Sequence, residues 1–556
     1  MTGTLPGRVA SLAQQSPREP AVISLTAAGA RIWDWSRLWE ESRRIAALLV
    51  AAGVGRGEAV AYQMTNRAEF VAITVGTLLA GAVCCPLMPV FRERELRYML
   101  SRARARVLFT MDRYHGRDPV AEVCSIESQV PSLEALFVVA ADGSDGGGRP
   151  LAHSGRTRPA WLQAALADAA DPATGITATP VEPAALAQLL FTSGTTGEPK
   201  GVLHRADVLD LAARMQADHL GLGAADRIFV PSPLAHQTGF LYGMWLGLLL
   251  GAVQILQETW QPRLALAALE HWRGSFVQAA APFLADLVQA GEEGAGPSEP
   301  AGPRSLRLFV ATGTTVPRAL AVRASGVLGC RVCGAFGTTE GCLATLGSPA
   351  DSPEKARGTD GRPLPGIEVR TCDEAGRILP ANIEGQLQTR SPTMFQGYLE
   401  RPDWTAAAYT DDGWYRTGDL AVIDAEGYLR LTGRQKDLVN RGGEKIPVVE
   451  IEQLLHEHEA VREVAIVGMP DVRLGERACA FIVMRQPRPD PARARAAVQL
   501  LDLPAVQAFL DRRRVAKQYW PERVEVVEEL PKTPSGKIRK YLLRERARAL
   551  STGVGS

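Results

Sequence analysis

Apolar positions in the first half of the chain change period repeatedly, and each change marks an element. Residues 1–20 read as a lead-in helix. Ile32–Val54 repeats apolar residues at three- and four-residue intervals and stops at Gly53 and Gly55, which predicts an amphipathic helix. Ala59–Met64, Ala82–Leu87 and Arg106–Thr110 are short apolar runs that predict strands. Glu69–Leu79 and the charged start Arg92–Arg102 predict helices between them. Strand–helix alternation of this kind predicts a parallel sheet covered by helices, and a second alternating set runs from Asp226 to Cys333. From Gly361 the pattern shortens to strands broken by turns such as Asp424-Ala425-Glu426-Gly427, which predicts a small β-barrel or antiparallel sheet. Gly143–Arg158 reads as a loop, Gly291–Pro303 as a linker, and Arg485–Arg495 as a surface loop leading into a helix. Gly433–Gly443 is charged and bounded by glycines. It predicts a boundary between a large unit, 1–433, and a smaller one, 434–556.

Composition narrows the functional class. A chain of 556 residues exceeds one ordinary domain. Its net charge of +1 gives no electrostatic case for nucleic acid or an anionic membrane. Eight cysteines in this length do not form a disulfide framework, so a reducing cytoplasm is expected. Cys330-x-x-Cys333 has no second pair, so buried structural thiols are expected rather than zinc ligands. Thr238–Leu256 is uncharged and close to membrane-span length. Its four glycines, Gly239, Gly243, Gly247 and Gly251, fit a buried helix and following strand better, so no membrane span is expected.

Five stretches carry candidate chemistry. Thr192-Ser193-Gly194-Thr195-Thr196-Gly197-Glu198-Pro199-Lys200-Gly201 packs glycines, hydroxyls and a lysine into one loop. A buried strand over Ala184–Phe191 precedes it, and Val202–Met215 reads as the start of a helix. Strand, glycine-hydroxyl loop and helix N-terminus make an anion cradle, and triphosphate is the obvious anion. The loop is not a Walker A sequence, because no Gly-Lys-Ser/Thr occurs in it. Phe336-Gly337-Thr338-Thr339-Glu340-Gly341 offers an aromatic face, a close backbone approach and a hard carboxylate suited to magnesium. Tyr415-Arg416-Thr417-Gly418-Asp419-Leu420 places an acid after a turn, where it suits a pair of ribose hydroxyls. Gly433-Arg434-Gln435-Lys436-Asp437-Leu438, continuing to Ile446, and Pro531-Lys532-Thr533-Pro534-Ser535-Gly536-Lys537-Ile538 complete the series.

In this order the five stretches resemble the adenylate-forming superfamily of acyl-CoA synthetases, adenylation domains and luciferases, over roughly Ile32 to Arg544. The resemblance implies an α/β protein: a large N-terminal domain of two α/β lobes plus a small β-barrel, and a smaller mobile α+β C-terminal domain. It implies that Thr192, Ser193, Gly194, Thr195, Thr196, Gly197 and Lys200 form the ATP phosphate loop. Gly337, Thr338, Thr339 and Glu340 become the next nucleotide contacts, with Glu340 on Mg2+. Phe336 and Gly313-Thr314-Thr315 form the adenine slot, and Asp419 and Arg434 hold the ribose. Lys436 falls at the interdomain hinge, where the family often has an aspartate. Gly442 and Gly443 line the pantetheine tunnel of CoA. Lys537 is the adenylation lysine, and His236 lies beside the substrate carboxylate.

No Asp or Glu occurs between Ala235 and Gln257, where amino-acid-activating members hold the substrate ammonium with an aspartate. A carboxylic acid without an amino group is therefore expected. The bulky stretch Phe240-Leu241-Tyr242-Gly243-Met244-Trp245 and the run Arg441–Glu450 look most like ligases for cyclohexanecarboxylate and similar cyclic, aromatic or medium-chain acids. The expected activity is an AMP-forming acid–CoA ligase with ATP and CoA as cosubstrates. The alternative is a standalone adenylating enzyme that loads an acyl carrier protein. A homodimer stays open.

Overall fold

The structure is a computed structural model and describes residues 4–26, 29–144, 151, 157–168, 182, 184–192, 199–294, 302–313, 318–442, 444–485, 501–533 and 536–552. The predicted loop 143–158, the linker 291–303 and the stretch 485–495 lie largely outside the described residues.

Two large sheets form the N-terminal body. In the first, five parallel strands run side by side: Val253–Gln257, Arg227–Val230, Phe276–Ala279, Leu308–Ala311 and Arg331–Thr338. Pro20–Thr26 extends them on one side and carries Gly29–Asp34 antiparallel at the edge. Cys342–Leu346 folds back antiparallel on the other side. The second sheet holds Val83–Leu87, Ala59–Gln63, Val107–Met111 and Ala135–Val139 in parallel, with Leu186–Thr192 and Lys200–Arg205 continuing it toward Gly397–Tyr398. The main apolar core lies between these sheets, around the helices Trp35–Ala51, Ala68–Leu79 and Ala206–Leu220.

Local rules explain where elements start. The helix expected from Ile32 starts at Trp35, because Gly29–Asp34 is held as a strand against Pro20–Thr26. Asp34 then caps the helix, its Oδ1 accepting from the Arg37 N–H at 2.8 Å. This helix lies so close to Ala68–Leu79 that a Cβ at Gly76 would sit 2.8 Å from both Ile45 and the Ser42 carbonyl.

Strands after Gly361 form a four-stranded antiparallel sheet: Glu368–Cys372, Gly385–Arg390, Tyr415–Ile423 and Leu429–Arg434. Among the described residues it does not close, so the expected barrel is an open sheet. Four strands give too small a circumference for a packed interior. From Val439 the chain builds a further sheet centred on Val461–Asp471 and Gly475–Met484, with apolar residues packed on both faces.

The long apolar stretch is buried, as expected. Gln237–Leu250 is one helical segment with a π-helical turn over Phe240–Trp245, followed by the strand Val253–Gln257. Among the described residues no helix is long and apolar enough to cross a membrane. All eight cysteines are buried and free, and burial pushes the Cys330 and Cys333 thiols up to about 12.

Candidate active site

The Gly-Thr loop joins two strands. Leu186–Thr192 pairs antiparallel with Lys200–Arg205, Phe191 opposite Gly201, so the segment expected to be helical from Val202 is the return strand of a hairpin. The helix begins only at Ala206. Two contacts explain the difference. A Cβ at Gly201 would lie 2.9 Å from Leu189 and 3.1 Å from Leu399, and Val202 and Leu203 pair with Tyr398 and Gly397 from a distant part of the chain. The segment that directly follows the loop is therefore a strand, not a helix N-terminus. Ser193, Gly194, Thr195, Thr196 and Gly197 lie outside the described residues, while Thr192 and Lys200 close the strand pair. The Lys200 ammonium lies 4.6 Å from the Tyr398 ring centre and 5.3 Å from that of Trp404.

Glu340 projects from a tight return between Arg331–Thr338 and Cys342–Leu346. The ladder is irregular between Phe336 and Gly337, and a Cβ at Gly337 would lie 2.4 Å from the Cys342 carbonyl oxygen. Thr338 Oγ1 accepts from the Gly341 N–H at 2.9 Å. The Thr339 carbonyl meets His204 Nε2 at 2.7 Å; burial pulls His204 down to about 4, so the ring is neutral at pH 7 and Nε2 is the donor. The Glu340 carbonyl accepts from the Phe395 N–H at 2.7 Å, and its Oε1 from the Tyr398 phenol at 2.8 Å. Phe336 is only 4% exposed, so little of its ring faces solvent.

Asp419 and Arg434 face each other across adjacent strands. Arg434 Nε donates to Asp419 Oδ1 at 2.8 Å, whereas Oδ2 is buried without a partner. Burial raises the Asp419 carboxyl, and Arg434 and Lys537 pull it back. Lys537 comes from the C-terminal sheet unit and reaches this pair. A Cβ at Gly313, where φ is +84°, would lie 3.4 Å from Lys537 Cε. Burial and Arg434 lower the Lys537 ammonium, while Asp419 and Glu340 oppose that shift. The lysine is held by a turn in which its N–H donates to Thr533 Oγ1 at 3.0 Å and its carbonyl accepts from the Thr533 N–H at 2.7 Å. Burial and the nearby Lys537 push His236 down to about 3, so it too is neutral. His236 sits at the start of the buried helical segment, with Nδ1 3.3 Å from the Thr238 N–H.

The remaining candidates stand apart. A Cβ at Gly442 would meet only Leu474 within 4 Å, and its N–H donates to the Leu474 carbonyl at 2.7 Å. Gly442 thus lies in the turn between two strands of the C-terminal sheet. Gly443 and Thr314 lie outside the described residues. Lys436 lies in the short 3-10 turn Gln435–Asp437, and Asp437 is paired to Arg544 at 2.7 Å. The sequence motifs do not include Tyr398, Trp404 or His204. The only available signal was aromatic density between 395 and 415, which reads equally well as core.

The cluster joins one lysine, one arginine, two carboxylates and a neutral imidazole, drawn from the first large sheet, the four-stranded open sheet and the C-terminal unit. Such a group carries the charges that can offset those of phosphates and a carboxylate. Residues 9–399 match the AMP-binding enzyme family and 450–537 its C-terminal domain. The chain is 35% identical to a medium-chain fatty-acid–CoA ligase of Escherichia coli (strain K12), over 92% of this chain and 85% of the relative. It is 33% identical to a salicylyl-CoA synthase / salicylate adenylyltransferase of a Streptomyces species, over 94% and 90%. The crystal structure of ATP-bound MatB from Rhodopseudomonas palustris superposes with a TM-score of 0.81 at 26% identity, over 99% of this chain and 100% of that one. The anthranilate CoA ligase AuaEII in complex with anthranoyl-AMP shares the fold with a TM-score of 0.83 at 24% identity, over 99% and 98%. By sequence over nearly its whole length and by fold, the chain belongs to the AMP-binding enzyme family.

Proposed function

We propose that the chain is an AMP-forming acid–CoA ligase acting on a cyclic, aromatic or medium-chain carboxylic acid without an amino group. The observation that carries the residue assignments is the approach of Lys537 to Gly313, His236, Glu340 and the Asp419–Arg434 pair. The activity itself has support from the ligases among the relatives.

In the first half-reaction an oxygen of the substrate carboxylate bonds to the α-phosphorus of ATP. The bond to the bridging oxygen breaks, and pyrophosphate leaves with the electron pair. Two anions must meet, so catalysis is positioning and charge stabilisation. Lys537 supplies positive charge between the carboxylate and the α-phosphate. Lys200 and the backbone of 192–200 hold the β- and γ-phosphates. Asp419 Oδ2, buried and unpartnered, accepts from a ribose hydroxyl, while Arg434 fixes the same carboxylate through Oδ1. His236 stays neutral and orients the acid without adding a cation. Glu340 fits Mg2+: a hard carboxylate with one oxygen held by Tyr398, next to two threonines. Bound there with the nucleotide phosphates, magnesium would neutralise their charge.

In the second half-reaction the CoA sulfur attacks the acyl carbon. The C–S bond forms, the bond to the phosphate oxygen breaks, AMP leaves, and the thiol proton passes to solvent. Gly442 and Gly443 line the thiol path once the C-terminal unit, beginning near Arg434, has turned. A second reading keeps the first step and replaces CoA by an acyl carrier protein thiol. The relative named both as a CoA synthase and as an adenylyltransferase supports the adenylation step that the two readings share.

The test is a panel of acids with ATP and magnesium, with CoA, with a carrier protein and without either. AMP, pyrophosphate and an acyl-CoA thioester are expected from apolar acids. An ammonium in a pocket lacking a counter-charge is left desolvated, at a cost of several kcal/mol, roughly. Efficient turnover of a free α-amino acid, or ADP as the product, contradicts the assignment.

A further inference from the structure

Trp404 packs only at the edge of a small apolar cluster of Val202, Phe395, Tyr398 and Tyr415. It sits half-buried on the short helix Pro402–Ala407, none of whose residues is buried. The helix is nevertheless fixed firmly. Thr405 Oγ1 accepts from the Tyr398 N–H at 2.9 Å and donates to the Arg401 carbonyl at 3.0 Å. Gly397 adopts φ +146°, and a Cβ there would lie 3.2 Å from Thr405 Oγ1. This anchoring sets the Trp404 and Tyr398 rings edge to face, 6.4 Å apart at 82°. The Lys200 ammonium lies over both rings. Tyr398 also gives its phenol proton to Glu340, so one ring touches both groups. On the other side, Arg401 lies 3.5 Å from the Trp404 ring centre and is neutralised by Asp403 at 2.6 Å.

We propose that Tyr398 and Trp404 form an aromatic clamp that positions the Lys200 ammonium beside Glu340 for the adenylation step, which makes Trp404 a positioning residue of the reaction. The proposal rests on the reading of Lys200 as a phosphate contact. A lysine on a free four-carbon stem loses much rotamer freedom when it binds phosphate, and a lysine already held loses less. A carboxylate partner would hold it too, but would cancel its charge. Aromatic faces hold the cation and leave the charge for the nucleotide. The ring of Tyr398 further ties the position of Lys200 to that of the carboxylate, so both move as one unit.

Trp404→Leu keeps an apolar side chain and removes the ring face. Trp404→Phe keeps a face. In Trp404→Leu the KM for ATP should rise about three- to ten-fold, as loss of a partly desolvated cation–π contact implies, with a matching loss of adenylation. Thioester formation from a supplied acyl-adenylate and CoA should stay within about two-fold of the parent, and Trp404→Phe should recover most of the loss. A second measurement does not depend on turnover. The chain has eight lysines. After 13C reductive methylation, the methyl signal that Lys200→Arg removes should be shifted upfield by the rings and return to the exposed-lysine position in Trp404→Leu. Unchanged KM and rate, equal loss of both half-reactions, no recovery in Trp404→Phe, or an unshifted Lys200 signal each overturns the clamp. A Lys200→Ala variant with the parent's KM for ATP removes the phosphate-contact reading, and the clamp with it.

Discussion

Glu340 shows what single residues contribute. Its carbonyl and one carboxylate oxygen are committed to Phe395 and Tyr398, so Glu340→Gln keeps the Tyr398 contact through the amide oxygen and changes only the charge. Adenylation should fall by about 10²-fold or more, the loss typical of a preorganised electrostatic group, with an unchanged melting curve. Near-parental activity at ordinary magnesium would remove the metal role. The buried histidines make a pH statement. Folded values of about 4 for His204 and about 3 for His236 lie below the ordinary 6.5, because burial disfavours the imidazolium. Their neutral forms stabilise the fold fully above about 6.5, and that contribution is lost as pH falls toward 4, where the unfolded chain takes up protons first. Denaturant midpoints should drop between pH 7 and 4.5. His204→Gln, whose Nε2 can still donate to Thr339, should reduce that drop by up to about 3 kcal/mol. An identical slope in the variant contradicts the neutral buried ring. At this scale the motifs located Glu340, Asp419, Arg434, His236 and Lys537 within one region. They did not reveal Tyr398 or His204, because a tyrosine and a histidine between apolar neighbours look the same whether they pack or hold a functional group.

Elements were legible where local pattern decides and misread where distant pairing decides. The strands Ala59–Gln63, Val83–Leu87 and Val107–Met111 and the helices between them follow the apolar periods within a residue or two. Val202–Arg205 did not, since its apolar residues suit a helix as well as a strand. Pairing with Gly397–Tyr398, nearly two hundred residues on, decides it. The same holds for the open sheet after Gly361, whose strands are visible in sequence although their closure is not. Gly239 gives the element-scale prediction. A Cβ there would lie 2.3 Å from the Pro233 carbonyl oxygen and 2.6 Å from that of Ser232, both backbone atoms. Gly239→Ala therefore cannot be relieved by a rotamer change and must displace the start of the helix that carries His236. Stability should fall by about 1–3 kcal/mol, and the KM for the acid should rise more than that for ATP. Equal stability in urea, with an unchanged KM for the acid, would mean that this turn has slack the packing does not suggest.

At the scale of the whole molecule, one chain must serve two reactions with different needs. Lys537 sits on the C-terminal unit yet lies beside Gly313 of the large unit and the pair that Asp419 makes with Arg434 at the boundary, while Gly442 faces Leu474 within its own sheet. This arrangement suits the joining of two anions, where an ammonium offsets the charge that builds between carboxylate and α-phosphate. It gives thiol attack no comparable help, because the anhydride is already formed. A C-terminal unit that turns between the steps, as proposed above, would meet both needs. The turn Gln435–Asp437 is the pivot we propose: it directly follows the last strand of the open sheet, and Asp437 pairs with Arg544 on the final helix. Lys537→Ala should abolish acyl-adenylate formation from acid and ATP, yet convert a supplied acyl-adenylate and CoA to thioester at a comparable rate. Lys436→Pro fixes φ at the pivot and should act in the opposite sense, sparing adenylation and slowing thioester formation. The two half-reactions measured separately in both variants give a crossed pattern if the unit alternates. Parallel loss of both steps in Lys537→Ala, with the fold intact, would mean that a single arrangement carries out the whole reaction.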